Sequence, residues 1–197
     1  MKPKVIVYSD YICPFCYIGK RRIDTLIKEF DVDVEWKGFE LHPETPKEGK
    51  DFSNFFDNDY IKMIRENVDK LAKEVNLKFK LNSSISNSKL SLKAGEFAKT
   101  KNKFDAYHEA VFNAYFQEAK DIGDIRVIAE IAKEIGLNIK ELTNYLASTE
   151  SDKILEKHKE EAIKDEINGV PTFIIGEKKI VGAQPYNVIR KVVESLK

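Results

Sequence analysis

The chain has two cysteines, Cys13 and Cys16, and only two residues separate them. Thiols at this spacing can form a disulfide with each other, exchange it with another thiol, or ligate a metal ion. A purely structural disulfide between them would close too small a loop to restrict the unfolded chain. The spacing therefore indicates thiol–disulfide exchange or metal binding.

The cysteine pair follows a strand-like segment and opens a helical one. Residues 4–9 are mostly β-branched or aromatic, and apolar residues recur at helical spacing from Ile18 onward. We expect Cys13 at the helix N-terminus, where free backbone N–H groups and the helix dipole stabilise a thiolate. Pro14 suits the first helical turn. Cys13 is thus the predicted nucleophile, and Cys16, about one turn deeper, the predicted resolving thiol.

Zinc binding and inert packing are the alternatives for the pair. A structural zinc site normally has four ligands, so His42, His108, His158 or a second subunit would have to supply the others. We expect His108 to be a packing residue and His158 to lie on a solvated helical face, with charged neighbours on both sides. The sequence therefore predicts no metal and no other resident cofactor.

Composition argues against several classes of partner. Thirty-three basic and 33 acidic residues give a net charge of zero, so no global field attracts nucleic acid or anionic lipid. A membrane span is not expected, because no apolar run reaches about 18 residues. The first strand begins almost at Met1, without the features of a secretory signal. We therefore expect a cytoplasmic protein.

The order of elements predicts a core that a long helical stretch interrupts. Residues 32–41 alternate apolar and polar side chains through Trp36, which favours a second strand and a parallel βαβ unit. A linker rich in proline, glycine and charge follows Pro43. Beyond the linker, apolar residues recur at helical spacing in two stripes, which predicts amphipathic helices. The first stripe is Phe56, Tyr60, Ile64, Val68, Leu71 and Val75, and the second is Phe104, Tyr107, Val111 and Tyr115.

Three more helices complete this stretch. Asp124 is the predicted N-cap of a helix that ends at Gly136, and shorter helices are expected around 142–146 and 154–163. Pro171 then breaks the helical pattern, and a two-stranded hairpin and a final amphipathic helix follow. The order is β-α-β, helical insertion, β-β-α. We predict a discontinuous domain of residues 1–43 and 168–197 that carries an inserted helical domain of residues 44–167.

The sequence of residues 9–22 is Ser-Asp-Tyr-Ile-Cys-Pro-Phe-Cys-Tyr-Ile-Gly-Lys-Arg-Arg. This segment resembles the active-site signature of the DsbA family, in its FrnE-like branch. Later segments resemble the family as well, and these are residues 36–43, 112–124, 169–173 and 182–185. The resemblance implies an α/β thioredoxin fold with a large all-helical insertion. It also implies a protein disulfide oxidoreductase or isomerase that acts on protein thiols.

The resemblance further assigns a substrate-binding loop. It implies that Pro171 is cis and lies opposite Cys13, with Val170 offering backbone groups to an extended substrate segment. Pro14 and Phe15, between the cysteines, complete the predicted substrate-binding residues. Glutathione or a thioredoxin-type partner is the expected recycling reductant. The chain is expected to be a monomer or a homodimer.

Related glutathione-dependent enzymes give the alternative function. In hydroxychromene-carboxylate isomerases and kappa-class glutathione transferases, serine typically stands at the nucleophile position, so the Cys13 and Cys16 pair favours dithiol chemistry. The sequence departs from many relatives at residues 91–93, where Ser-Leu-Lys replaces a histidine-containing run.

Two hypotheses concern residues around the pair. Glu40 or Glu35 on the second strand could be a buried acid that takes the proton of Cys16. Tyr11, Phe15 and Tyr17 could form an apolar rim for substrate.

Overall fold

The computed structural model describes residues 2–54, 57–80 and 82–196. In chain order its elements are β1 (Lys4–Ser9), α1 (Pro14–Glu29), β2 (Asp33–Gly38), β3 (Lys50–Asp51), α2 (Asn58–Glu74), β4 (Ser84–Ile85), α3 (Lys89–Thr100), α4 (Phe104–Phe116), α5 (Ile125–Glu134), α6 (Ile139–Leu146), α7 (Thr149–Lys164), β5 (Thr172–Ile175), β6 (Lys178–Val181) and α8 (Tyr186–Glu194). A short 3₁₀ helix, Phe52–Asn54, precedes α2. None of the helices within these ranges is long and apolar enough to cross a membrane.

The main sheet has the strand order β2-β1-β5-β6. Strand β1 is parallel to β2, and Ser9 pairs with Gly38 at its end. It is antiparallel to β5, with Tyr8 opposite Thr172. The turn that carries the cysteines therefore leaves β1 beside the point where the loop containing Pro171 enters β5.

Both faces of β1 are covered, which explains its nearly continuous apolar sequence. Val5 and Val7 belong to a buried cluster with Phe173, Ile189 and residues of α1. Tyr8, on the opposite face, packs against Ala162 at the end of α7. The sheet thus holds the end of β1 rigidly between two layers of helices.

Helices α2 to α7 lie between β2 and β5 in the chain. Helix α2 contacts α1 directly, and α3 contacts α4, α5, α6 and α7. The largest buried cluster contains Val111 and Phe112 of α4 together with Tyr17, Cys13 and Cys16. The helical insertion therefore forms part of the wall around the cysteine pair. Its predicted separation into a domain of its own stays a prediction.

Several predicted helix features are confirmed. The Asp124 carboxylate accepts a hydrogen bond from the backbone N–H of Arg126 at 2.8 Å, as an N-cap of α5 does. The second predicted stripe lies on α4. Most of the first stripe lies on α2 or at its C-cap, while Phe56 lies outside the described residues.

The insertion differs from the expectation in two ways. It is not entirely helical, because β3 and β4 form a two-residue antiparallel ladder that joins the segments on either side of α2. Helix α3 was not predicted from periodicity. Ser91, Lys93 and Gly95 are buried along with its apolar residues, so the helix lacks a regular polar face.

Arg22 of α1 connects the insertion to the C-terminal helix. Its side chain is 3% exposed and pairs with Glu74 of α2 at 3.0 Å. The same guanidinium donates to the carbonyl oxygens of Ala183 and Gln184, in the turn before α8. One buried cation on α1 therefore binds groups from two other parts of the chain.

Replacing Arg22 by alanine is expected to lower the free energy of unfolding by about 2 kcal/mol, because it removes charge-assisted hydrogen bonds in a buried position. Glu74→Gln is the matched control. Its side chain is 50% exposed, so we expect a loss below about 1 kcal/mol. Urea unfolding measures the free energy of unfolding of both variants. Equal losses would contradict the expectation that the contacts of Arg22 with the two carbonyl oxygens contribute more than its ion pair with Glu74.

Candidate active site

Cys13 is the N-cap of α1. Its backbone is extended, with φ −90° and ψ 114°, and Pro14 follows in the first helical turn. The Cys13 N–H donates to Asp10 O at 3.2 Å, and the N–H of Cys16 donates to Cys13 O at 3.0 Å. The thiol of Cys13 therefore sits where the free N–H groups of the helix favour a thiolate.

The two thiols are free but differ in their surroundings. Cys13 is 3% exposed and Cys16 is 0% exposed. Burial raises the pKa of the Cys16 thiol well above its usual value, and the hydrogen bond to Cys13 and the charge there raise it further. The backbone N–H of Asp10 and the hydroxyl of Ser9 act in the opposite direction. The surroundings of Cys16 therefore favour its protonated form.

The loop before β5 reaches Cys13. The Val170–Pro171 peptide bond is cis, and Cys13 Sγ lies 3.6 Å from Val170 O in hydrogen-bond geometry. Pro171 O accepts a bond from Gly182 N at 2.8 Å, which ties the loop to the end of β6. Of the predicted site residues, the structure therefore brings Val170 and Pro171 to the pair.

Gly19 allows this loop to approach α1. A Cβ atom at Gly19 would lie 3.0 Å from Phe173 Cζ and 3.3 Å from Pro171 Cγ, closer than side chains normally pack. The absence of a side chain one turn after Cys16 thus lets the loop lie directly on the helix.

Asp10 is a buried charged residue of the site to which no sequence pattern assigns a role. It is 0% exposed, and its carboxylate accepts from Leu41 N at 2.7 Å, Ser88 Oγ at 3.0 Å and Ile12 N at 3.4 Å. Burial raises its pKa to about 6, although these donors favour the charged form. The carboxylate therefore joins the active-site turn to the segments after β2 and before α3.

The predicted apolar rim is wrong for two of its three members. Tyr11 is 3% exposed and Tyr17 is 0% exposed. The ring of Tyr17 stacks on Phe112 of α4, with centroids 4.8 Å apart and planes 5° apart. Both tyrosines are core residues because the insertion covers them. Phe15 and Pro14 are half-buried on the first turn of α1.

The histidines are all engaged structurally. His108 is buried and its Nδ1 lies 3.0 Å from the Tyr11 hydroxyl, as a packing residue should. His158 was predicted on a solvated face, which is wrong. It is 5% exposed and accepts a bond from Gly38 N at 3.2 Å, and burial lowers its pKa to about 4. His42 lies 3.1 Å from Glu44.

Neither Glu35 nor Glu40 matches the hypothesis of an acid serving Cys16, and Glu40 lies beyond β2, which ends at Gly38. Glu35 pairs with Lys4 at 2.7 Å and its side chain is 41% exposed. Glu40 is half-buried with a raised pKa, but it lines a groove against α7. Among the described residues, the groups that shift the pKa of Cys16 include neither of them.

Comparisons with known proteins show which family the chain is similar to. A family model described as a DSBA-like thioredoxin domain matches residues 4–194. The chain belongs to the DsbA family. The uncharacterized protein YwbO of Bacillus subtilis is 36% identical over 196 residues, which cover 98% of this chain and 96% of that protein.

Solved structures share the fold of this DsbA-family chain. A probable DsbA oxidoreductase from Streptomyces coelicolor has a TM-score of 0.87 at 22% identity, covering 98% of this chain and 89% of that one. A 2-hydroxychromene-2-carboxylate isomerase has a TM-score of 0.83 at 17% identity, covering 98% and 95%. The cytosolic disulfide reductase DsbM from Pseudomonas aeruginosa, determined with GSH, has a TM-score of 0.74 at 15% identity, covering 98% of each chain.

The side chains around the pair also bear on metal binding. Within the ranges that the structure describes, no group of three or more His, Cys, Asp or Glu side chains could hold a metal ion. The sulfur atoms of this DsbA-family chain have hydroxyl, amide and carbonyl neighbours instead.

Asp10→Asn is expected to remove a pH-dependent part of the stability. The pKa of Asp10 in the folded chain, about 6, lies above its ordinary value of 3.8. The stabilisation is therefore complete below the ordinary value and is lost as the pH rises through about 6. Between about pH 7 and pH 5 the parent should gain about 1 kcal/mol relative to Asp10→Asn.

Urea unfolding at both pH values checks this expectation. Asp31→Asn is the control, because that exposed carboxylate pairs with Lys2 at the surface and should leave the parent's pH dependence unchanged. A stability difference between the parent and Asp10→Asn that stays constant with pH would contradict the prediction.

Proposed function

We propose that the chain is a dithiol–disulfide oxidoreductase that exchanges disulfides with protein thiols. The observation that carries the proposal is the inequality of the two thiols. Cys13 caps a helix beside the Val170 carbonyl, whereas Cys16 is fully buried beneath it with a raised pKa. This arrangement suits one thiol to attack and the other to resolve.

The exchange has two steps. The Cys13 thiolate attacks a substrate disulfide, so a bond between Cys13 Sγ and one substrate sulfur forms while the other substrate sulfur leaves as a thiolate. Cys16, once deprotonated, then attacks Cys13 Sγ and releases the second substrate thiolate. The substrate disulfide has gained two electrons and the Cys13–Cys16 pair has become the disulfide. The same steps in reverse oxidise a substrate dithiol.

The residues next to Cys13 are suited to hold an extended substrate segment. Val170 is half-buried, and its carbonyl oxygen already accepts from Cys13 Sγ. Backbone groups of such a loop can pair with a peptide in the manner of an added strand. Pro14 and Phe15 are half-buried on the neighbouring helical turn. We assign these residues and Pro171 to substrate binding.

We further place the chain in the FrnE-like branch and its activity in the cytoplasm. The signature at residues 9–22 supports the branch. DsbM, which shares the fold, is described as a cytosolic disulfide reductase and was determined with GSH. Glutathione or a thioredoxin-type dithiol is accordingly the proposed recycling reductant.

Equilibration of the protein in glutathione buffers, read by thiol alkylation and mass, tests the function. We expect one reversible transition that involves both thiols. A reduction potential of the Cys13–Cys16 pair toward about −270 mV would identify a reductase, and a potential toward about −120 mV would identify an oxidant. If no disulfide between Cys13 and Cys16 formed at any ratio of oxidised to reduced glutathione, the proposed chemistry would be wrong.

Cys16→Ser separates this function from the glutathione-dependent isomerase or transferase that is the alternative. Without the resolving thiol, the mixed disulfide on Cys13 should accumulate, so turnover of protein disulfides should fall by at least about a hundredfold. Cys13→Ser is the control and should form no adduct, as gel shift and mass would show. Glutathione-dependent isomerisation that persists in Cys16→Ser would favour the alternative.

A further inference from the structure

An apolar pocket lies beside Cys13 and is separate from the loop that contains Pro171. Ile12 and Pro14, the residues directly before and after Cys13, line it. The other lining residues come from the insertion, and none of those described belongs to residues 169–171. An extended chain advances only about 3.3–3.6 Å per residue. A substrate side chain held in the pocket must therefore belong to a residue close in sequence to the substrate cysteine.

Helix α2 supplies the apolar outer wall of this pocket. Ile61, Ile64 and Val68 recur at helical spacing, and all of them line the pocket. The end of α4 closes the inner side with Tyr115 and Phe116. Both aromatic residues are buried, whereas Ile61 and Ile64 are half-buried. The pocket therefore has a buried inner wall and an outer wall on a helix whose first half is largely exposed.

The volume of the pocket limits the size of the side chain that it can hold. It is about 50 Å³, and about 10–15 Å³ in this measure holds one water molecule. The pocket thus has room for about three to five atoms. This matches the side chain of leucine or isoleucine, but it is too small for an indole ring or another bicyclic aromatic group. The size therefore favours an aliphatic side chain of a protein segment.

Arg65 of α2 places a positive charge at the rim of the apolar pocket. It lines the pocket and is exposed to solvent. No acidic residue is among the described residues that line the pocket. A guanidinium can pair with a carboxylate through two parallel hydrogen bonds. Because the pair would be exposed, its contribution to binding is modest and decreases with added salt. The rim therefore complements an acidic side chain next to the aliphatic one.

We propose that this pocket selects protein segments in which an aliphatic side chain of the size of leucine and an acidic side chain both lie close to the reactive cysteine. The aliphatic side chain fills the space between Pro14 and α2, and the carboxylate pairs with Arg65. The backbone of the same segment lies along the loop that contains Pro171. This specificity rests on the proposed function, since it concerns the substrate that Cys13 attacks.

Peptides whose cysteine forms a mixed disulfide with a chromogenic aryl thiol test the specificity. Cys13 attacks the peptide sulfur, so a bond between these sulfur atoms forms, and the coloured aryl thiolate leaves with the electron pair of the broken bond. The peptides differ only in the residues beside the cysteine. For the parent chain, leucine should raise the second-order rate constant about tenfold over alanine, and tryptophan should give no such gain. Glutamate in place of glutamine should add about three- to fivefold at low ionic strength.

Substitutions on α2 assign these preferences to the pocket. Arg65→Gln should remove the advantage of glutamate over glutamine. Lys70→Gln is the matched control and should retain it, because Lys70 is an exposed cation of the same helix that does not line the pocket. Ile64→Ala enlarges the pocket, so the preference should shift from leucine toward phenylalanine. Each preference is a ratio of rates within one variant, so a loss of folded protein does not mimic it.

Several results would overturn the proposed specificity. Equal rates of the unaltered chain with the alanine, leucine and tryptophan peptides would exclude a selective pocket and leave the dithiol chemistry intact. A glutamate preference that persists in Arg65→Gln, or a leucine preference that Ile64→Ala does not change, would refute the assignment to these residues. A parent chain that released no aryl thiolate from any peptide would instead overturn the proposed function, and the specificity with it.

Discussion

The complete burial of Cys16 is the constraint on which the rest of the site depends. A thiol that is 0% exposed holds its proton, because the interior does not solvate the thiolate. That proton is available to the sulfur of Cys13, which caps the helix and benefits from its dipole. We attribute the unequal roles that we propose for two chemically identical residues to about one helical turn of depth. Because of the same burial, bulk water does not reach the proton of Cys16 directly.

The helical insertion creates this burial. Tyr17, which follows Cys16 directly, stacks on Phe112 of α4, and both cysteines share one cluster with residues of the insertion. The Asp10 carboxylate then ties the turn to Leu41 and Ser88, which stand before and after the first part of the insertion. A change in the packing of α3 or α4 would therefore alter the chemistry of the pair as well as the shape of the surface around it.

Local patterns were sufficient to predict the architecture but only part of the site. The strand and helix around Cys13, the N-cap at Asp124 and the final hairpin each have a short-range signal, and each is present in the structure. Helix α3 lacks such a signal, since Ser91 and Lys93 are buried with its apolar residues. The burial of Tyr11 and His158 depends on contacts with distant segments, which periodicity along one segment does not reveal. Conversely, the predicted strand of residues 32–41 suggested Glu35 and Glu40. In the structure β2 ends at Gly38, Glu35 pairs with Lys4, and Glu40 lines a groove against α7.

Asp10 illustrates why the electrostatics of the pair could not be inferred from spacing alone. An acid three residues before Cys13 suggests repulsion of the thiolate, yet its carboxylate is held by Leu41, Ser88 and Ile12. What reaches Cys16 from this residue is its backbone N–H, which favours the thiolate. The backbone of Asp10 therefore stabilises charge on the sulfur while its side chain fixes the turn.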